Sequence, residues 1–424
     1  MNRLFQKSII LVMAGSLLTS TAINPKAIAE VKDNKTSDVV NIKNERQELI
    51  GKRSEYSKTY LNSNGTLTTD ISPTPIHYFD ENIEKWKPIN NVLKENNTSI
   101  YNNAHSFHVK LDKQHTSEDN LLEISENNYE INLTPMKEES VTNTTYSEIE
   151  TAIDAEVSNN TVIYPEVFEN ADLKYSLGND RIKEEIILKD KPANLETPVI
   201  YTFSLDLGNL TYKQRENGSI LLLDKESGDI KYYIEAPIMY DSFKPNGYKE
   251  NEEISTIPEE AISYDIKYDL RSENNQLYID LIPNQEWLLS DKRVYPVTLD
   301  PTIVKYQPQY ALSDTNIRSA FPKQTAPTET TLGVGLYKDA TQDNIIRSLI
   351  RFDTSSIPQG ANVLTADLNL WLASVSNDTG MNVTLHSIST PWTEYSASWM
   401  YSDAGHSGIL KAEILMPPKF LLHM

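Results

Sequence analysis

The chain has 424 residues, no cysteine, and 60 acidic against 39 basic side chains, which gives a formal net charge of −21. The absence of cysteine excludes disulfide bonds, thiolate catalysis and thiolate metal sites. The negative charge opposes binding to nucleic-acid phosphates and to anionic lipid surfaces, so we expect no nucleic-acid partner.

The first 29 residues have the three parts of a secretory signal. Arg3 and Lys7 precede an apolar run at residues 9–18, and Ala27-Ile28-Ala29 is a small-x-small cleavage site. The run is shorter than the ~20 residues of a membrane span, so we expect export without membrane insertion. An uncleaved signal anchor is the alternative, against which the cleavage site argues. Removing the signal takes away three cations and no acid, which changes the charge from −21 to −24.

Residues 30–50 are polar and charged and predict a linker. From residue 51 onward, short runs of alternating apolar and polar residues follow one another, as at 107–111 and 203–207. Turn residues such as Asn64-Gly65 separate these runs, and no amphipathic segment of helix length occurs. The pattern predicts an antiparallel β-rich domain over residues 51–301.

A second set of alternating runs begins near residue 310. Ile350 and Phe352 alternate with polar residues, a turn follows at 358–360, and the leucines at 368, 370 and 372 alternate again. This arrangement predicts an incomplete β-sandwich module with a jelly-roll-like topology over residues 310–404. The fold class expected for the chain is therefore mostly β.

The sequence contains none of the common catalytic motifs, such as a nucleophile elbow or a P-loop. Glu184 and Glu185 are adjacent in a predicted strand, so their carboxylates point to opposite faces and cannot act as a pair. His105 and His108 are expected on a surface strand and on opposite faces. We therefore expect no enzyme activity, no cofactor and no metal.

Aromatic residues in the second module are the candidates for ligand binding. Trp392, Tyr395 and Trp399 lie close together with Glu394 between them, and Trp371 alternates with the leucines around it. Exposed aromatic rings stack on sugars, and a carboxylate accepts hydrogen bonds from sugar hydroxyls. These five residues are the predicted carbohydrate-binding set. The alternative is that the tryptophans pack within the sandwich, because large aromatic side chains are mostly buried.

The strings RSLIRFDTSSIP and NVTLHSISTPWTEYSASW in the second module resemble the DNRLRE-type β-sandwich domains, which are related to carbohydrate-binding module family 96. The literal DNRLRE string is absent. In the first domain, VIYPEVFENADLKYSL, RIKEEIIL and RVYPVTLDP resemble the N-terminal region of bacterial wall-associated proteins of the RHS/YD-repeat class. The resemblance implies a secreted or cell-wall location and polysaccharide as a partner.

In that class, YD-repeat shells and a C-terminal toxin follow such a region. Neither follows here, so the resemblance does not carry cell-killing activity to this chain. Residues 405–424 lack alternation, and a shifted reading of degenerate codons from His406 permits a further turn and strand. We therefore expect a frameshifted tail on a truncated wall-associated protein. The alternative function is a structural spacer or capping region with no ligand of its own.

Overall fold

A computed structural model describes the chain over most of its length. It covers residues 2–16, 46–116, 120–138, 146–147, 152–192, 199–216, 218–244, 261–273, 276–306, 312–323, 331–338, 343–375, 383, 385–386, 388, 392, 397–399 and 420–423. Among these residues, no helix is long and apolar enough to cross a membrane.

Strands are the predominant regular element of the described residues. The first are β1 (Asn2–Ser16), β2 (Gln47–Glu48), β3 (Ser57–Leu61), β4 (Leu67–Ile71), β5 (His77–Asp80), β6 (Lys85–Pro88), β7 (Lys94–Glu95), β8 (Ser99–Tyr101), β9 (His108–Asp112), β10 (Gln114–His115) and β11 (Leu122–Glu126). Next come β12 (Tyr129–Glu138), β13 (Tyr146–Ser147), β14 (Ile153–Asp154), β15 (Glu156–Ser158), β16 (Thr161–Phe168), β17 (Ala171–Leu177), β18 (Arg181–Leu188), β19 (Tyr201–Asp206), β20 (Leu210–Gln214), β21 (Ile220–Asp224) and β22 (Ile230–Ile234). The last are β23 (Ile238–Tyr240), β24 (Ile262–Ser263), β25 (Ile266–Glu273), β26 (Gln276–Pro283), β27 (Val297–Asp300), β28 (Thr302–Lys305), β29 (Leu312–Arg318), β30 (Thr331–Lys338), β31 (Asp343–Phe352), β32 (Asn362–Val375) and β33 (Phe420–His423). The helices are a 3₁₀ turn at Ile50–Lys52 and α1 at Gln285–Leu289.

This composition confirms the predicted mostly-β fold with antiparallel sheets. The chain divides into two compact units, one made of residues 1–76, 80–86 and 308–424 and the other of residues 77–79 and 87–307. We call them the outer unit and the central unit, by their positions along the chain. The outer unit includes residues 51–76, which the sequence assigned to the first domain.

The central unit is a two-sheet sandwich. One sheet has the order β25-β26-β19-β12-β11-β9-β8-β7, and the other has the order β15-β16-β17-β18-β28-β22-β21-β20. A single buried cluster contains residues of both sheets, for example Leu133 and Phe203 from the first and Leu173 and Ile186 from the second. Alternation produces this core, since β17 buries every second side chain from Ala171 to Leu177.

The outer unit contains a sheet with the order β2-β3-β4-β1-β30-β31-β29. The predicted Asn-Gly hairpin joins β3 to β4, and Gly65 has a φ of 80°, a conformation that glycine adopts without strain. Two small buried clusters lie in the second half of this unit. One contains Leu332, Leu368 and Leu370, and the other contains Ile317, Leu349, Trp392 and Ala397.

Both ends of the chain contribute strands to the outer unit. Asn2–Ser16, predicted as part of a signal, forms β1 and pairs with β4, β30 and β32. An apolar run does not by itself distinguish helix from strand, so the pattern is compatible with this pairing. Phe420–His423, in the predicted frameshifted tail, forms β33 parallel to β32. Signal removal and the frameshift stay predictions.

Candidate functional site

On one face of strand β31, two of the predicted aromatic residues meet charged side chains. Arg347, Leu349 and Arg351 share this face, because side chains two residues apart on a strand point the same way. Neighbouring strand β29 places Ile317 opposite Arg347 and Ser313 opposite Arg351. The face is thus apolar at its centre, with an arginine at each end.

Trp392 and Trp399 each lie under one of these arginines. The guanidinium carbon of Arg351 is 5.5 Å from the centre of the Trp392 ring, and that of Arg347 is 4.9 Å from the centre of the Trp399 ring. Both distances are typical of cation–π contacts. Arg351 also donates hydrogen bonds to the Trp392 carbonyl at 3.2 Å and to Ser313 Oγ at 2.8 Å. We call the contacts of Arg347 with Trp399 and of Arg351 with Trp392 the Arg–Trp pairs.

The two tryptophans differ in exposure. Trp392 is 8% exposed and packs in the cluster with Ile317, Leu349 and Ala397. Its ring is therefore occupied by protein atoms, which favours packing over a free sugar-stacking face at this position. Trp399 is half-buried at the margin of the same cluster, and Arg347 above it is exposed. Of the two positions, Trp399 is the one that a ligand can reach.

The other predicted residues are placed less completely. Glu394 and Tyr395 lie outside the described residues. Trp371 belongs to β32, but its side chain lies outside the described part, while Leu368 and Leu370 on the same strand are buried as expected. Their assignment to a carbohydrate site stays a prediction.

Sequence reasoning missed Arg347 and Arg351 as companions of the tryptophans. The signal was present, since the string RSLIR in a strand places both arginines on one face. Only the tertiary structure, which places Trp392 and Trp399 against this face, reveals the pairing.

The predicted histidine and glutamate positions can be compared with the structure. His105 is 4% exposed and precedes β9, so the expectation of a surface strand residue is wrong for it, whereas His108 is exposed on β9. The Nε2 atom of His105 lies 2.9 Å from the Gly178 carbonyl oxygen. Burial lowers the pKa of His105 to about 4.

Glu184 and Glu185 point to opposite faces of β18, as predicted. Glu185 lies beside the ammonium groups of Lys174 and Lys183, at 2.7 and 2.8 Å. Burial opposes ionisation of Glu185, but these two lysines outweigh it and lower its pKa to about 2. Glu184 points into the core. Among the described residues, no group of three or more acidic or histidine side chains is arranged to hold a metal ion.

Comparison with known proteins adds a family and a set of relatives. The model of carbohydrate-binding module family 96 matches residues 305–409. The chain is also 26% identical, over 280 residues, to the tRNA(Glu)-specific nuclease WapA of Bacillus subtilis subsp. natto and to the tRNA nuclease WapA of Bacillus subtilis strain 168. The tRNA3(Ser)-specific nuclease WapA of Bacillus spizizenii matches with the same identity and length. No solved structure matches the chain.

These matches cover 66% of this chain but only 11% of each relative, so the chain spans about a tenth of the relatives' length. They correct two expectations, because proteins similar to this chain are named nucleases and act on tRNA. The expectations of no enzyme activity and no nucleic-acid partner were therefore wrong. The charge argument failed because the net charge of this chain does not determine what the much longer relatives act on.

Proposed function

We propose that this chain is a secreted, cell-wall-associated protein whose family 96-like module binds a wall polysaccharide. The observation that carries the proposal is the match to the carbohydrate-binding family over residues 305–409. The exposed Arg347 and half-buried Trp399 within that stretch supply the two chemistries such a site uses, an aromatic face and a hydrogen-bond donor.

The proposed sugar-contacting set is Trp399 with Arg347, together with Trp371, Glu394 and Tyr395. An aromatic face contributes apolar contact with a sugar ring, and the guanidinium has five N–H donors that point to ring hydroxyls or acidic groups. Trp392 supports this set from within the module, since it packs beside Arg351 of β31 and its carbonyl accepts a hydrogen bond from that arginine. The residue that orients the site is thus distinct from those that touch the ligand.

A structural spacer is the second candidate. It is favoured by the burial of Trp392 and by the two Arg–Trp pairs, which satisfy arginine and tryptophan within the protein. In this alternative, Trp392 and Trp399 only pack against the sheet, and the module binds no sugar. The two candidates differ in one measurable property, which is retention on polysaccharide.

The names of the relatives add tRNA to the substrates under consideration. We propose that the chain corresponds to a wall-binding part of a nuclease-class protein, given that similar proteins are named tRNA nucleases. Incubating the chain with tRNA and resolving the products on a denaturing gel tests where the activity lies. Cleavage of tRNA assigns nuclease chemistry to the part of the relatives that this chain matches.

The polysaccharide test is a depletion assay with purified bacterial cell walls, before and after removal of their anionic polymers. We expect the chain to be retained and Trp399→Ala to weaken retention about five- to thirtyfold, because stacking on one ring contributes of the order of 1–2 kcal/mol. Trp287→Ala is the matched control. Trp287 is also half-buried and lies 4.3 Å under an arginine, Arg293, but outside the family match.

Two results contradict the proposal. The parent chain passing through every wall preparation without retention removes sugar binding and leaves the spacer. Equal weakening by Trp399→Ala and Trp287→Ala assigns the effect to general loss of structure and not to a site.

A further inference from the structure

Glu184 is an acid in the interior of the central unit. Its neighbours at two-residue spacing on β18, Ile182 and Ile186, are 2% and 0% exposed, and Glu184 is 2% exposed. Tyr175 on β17 lies directly opposite Glu184 and is 0% exposed. The carboxyl group therefore stands in a row of inward side chains that is otherwise apolar or aromatic.

The space around this carboxyl group is small and apolar. Glu184 lines a cavity of about 20 Å³ between the two sheets, with Leu133, Phe203 and Leu281 on one side and Ile234 and Ile303 on the other. A cavity of this size holds about one water molecule. An ionised carboxylate at this position cannot recover the hydration it has in bulk water, and its charge is therefore strongly disfavoured.

Nearby polar groups do not compensate such a charge. Glu184 Oε1 and the hydroxyls of Tyr175 and Tyr268 are buried without a hydrogen-bond partner in the described part of the chain. The neighbouring cation, Lys183, points to the outer face of β18, where its Nζ lies 2.8 Å from Glu185 and 3.1 Å from Asp300. The cation closest in sequence is thus held by two other carboxylates.

The remaining charged groups around Glu184 act in the same direction. Burial raises the pKa of the Glu184 carboxyl well above its ordinary value of 4.5, and the negative charge of Asp300 on β27 raises it further. Tyr268 on β25 has a pKa raised by burial and then by Glu184, Asp300 and Glu235. Tyr175 on β17 has a pKa raised by burial and then by Glu184.

We propose that the central unit carries Glu184 as the neutral acid and that its ionisation loosens the contact between the two sheets, which makes this sandwich a pH-sensitive element. The folded state keeps a proton that the unfolded chain releases above pH 4.5. By linkage, stability then falls as the pH rises from 4.5 up to the raised pKa of the folded state. Through Glu184 alone, strands β17, β18 and β25 open more readily as the pH rises above 4.5.

The test compares the full chain with Glu184→Gln, which keeps the shape of the side chain but cannot ionise. Peptide-resolved hydrogen exchange of β17, β18 and β25 is measured from pH 5 to 9 and corrected for the intrinsic pH dependence of exchange. We expect the open-to-closed ratio of the parent to rise relative to E184Q by up to tenfold per pH unit, the limit for one proton. Glu216→Gln, which changes an exposed carboxylate, is the control and should follow the parent.

Parallel profiles of the parent and E184Q across this range overturn the proposal, because they mean that Glu184 has the same protonation state in the open and closed forms. If E184Q does not fold, the carboxyl ¹³C shift of Glu184 in the parent decides the question. A titration near pH 4.5 overturns the proposal, and a titration displaced to higher pH supports it.

Discussion

Acidification of the central unit should destabilise it through His105. This side chain is 4% exposed, its Nδ1 lies 3.0 Å from the backbone nitrogen of Ser106 and accepts that N–H, and its Nε2 lies 2.9 Å from the Gly178 carbonyl oxygen. The neutral ring with hydrogen on Nε2 satisfies both contacts. Protonation places a second hydrogen on Nδ1, against the Ser106 N–H, in a site without solvent.

The magnitude follows from the pKa. Burial lowers the pKa of His105 from 6.5 to about 4, and the charge of Lys305 adds to the effect, while the Gly178 carbonyl and Asp180 oppose it. A pKa unit corresponds to about 1.4 kcal/mol, so the difference is worth roughly 3.5 kcal/mol at most. Since the folded state binds fewer protons than the unfolded state between these values, stability is lost as the pH falls from 6.5 to about 4.

The assay is urea unfolding at a series of pH values, with the central unit read separately by hydrogen exchange of β8 and β9. His105→Gln retains an N–H donor for the Gly178 carbonyl but does not titrate. We expect this variant to have a lower free energy of unfolding than the parent at pH 7.5 and a shallower loss on acidification. His108→Gln, on the exposed face of β9, should behave as the parent. Equal pH slopes for the parent and His105→Gln would refute the reasoning.

Three further predictions concern stability. Glu185→Gln should lower the free energy of unfolding at neutral pH. The folded-state pKa of Glu185 is about 2 against 4.5, so its contribution is present above pH 4.5 and is lost towards pH 2; urea unfolding at pH 7 and pH 2.5 measures the difference. Leu173→Ala should cost about 2–5 kcal/mol, because Leu173 is 0% exposed in the main cluster; an unchanged urea midpoint would contradict this. Limited proteolysis should cut within residues 312–399 before it cuts within residues 87–306, because the apolar clusters described in residues 312–399 are small. Trp392→Ala should accelerate this cleavage, and Trp287→Ala should not.

The local strand pattern was determined by the sequence. Alternation at 107–111 and 203–207 predicted β9 and β19, and the Asn64-Gly65 turn predicted the hairpin of β3 and β4. The run at 161–188 forms three strands, β16, β17 and β18, and the first two are joined by a turn at residues 169–170. Asn284 caps the short helix α1 by accepting a hydrogen bond from the Trp287 N–H.

The environment of each side chain was decided only by the tertiary structure. Periodicity assigns Glu184 to one face of β18. That face becomes a buried apolar interior only because the second sheet covers it. Similarly, Arg347 and Trp399 are 52 residues apart, and nothing in the sequence indicates that they are in contact. In the folded chain the guanidinium carbon of Arg347 lies 4.9 Å from the centre of the Trp399 ring. A strand pattern is set by the backbone and its nearest neighbours, whereas burial and charge pairing depend on contacts between segments that are remote in sequence.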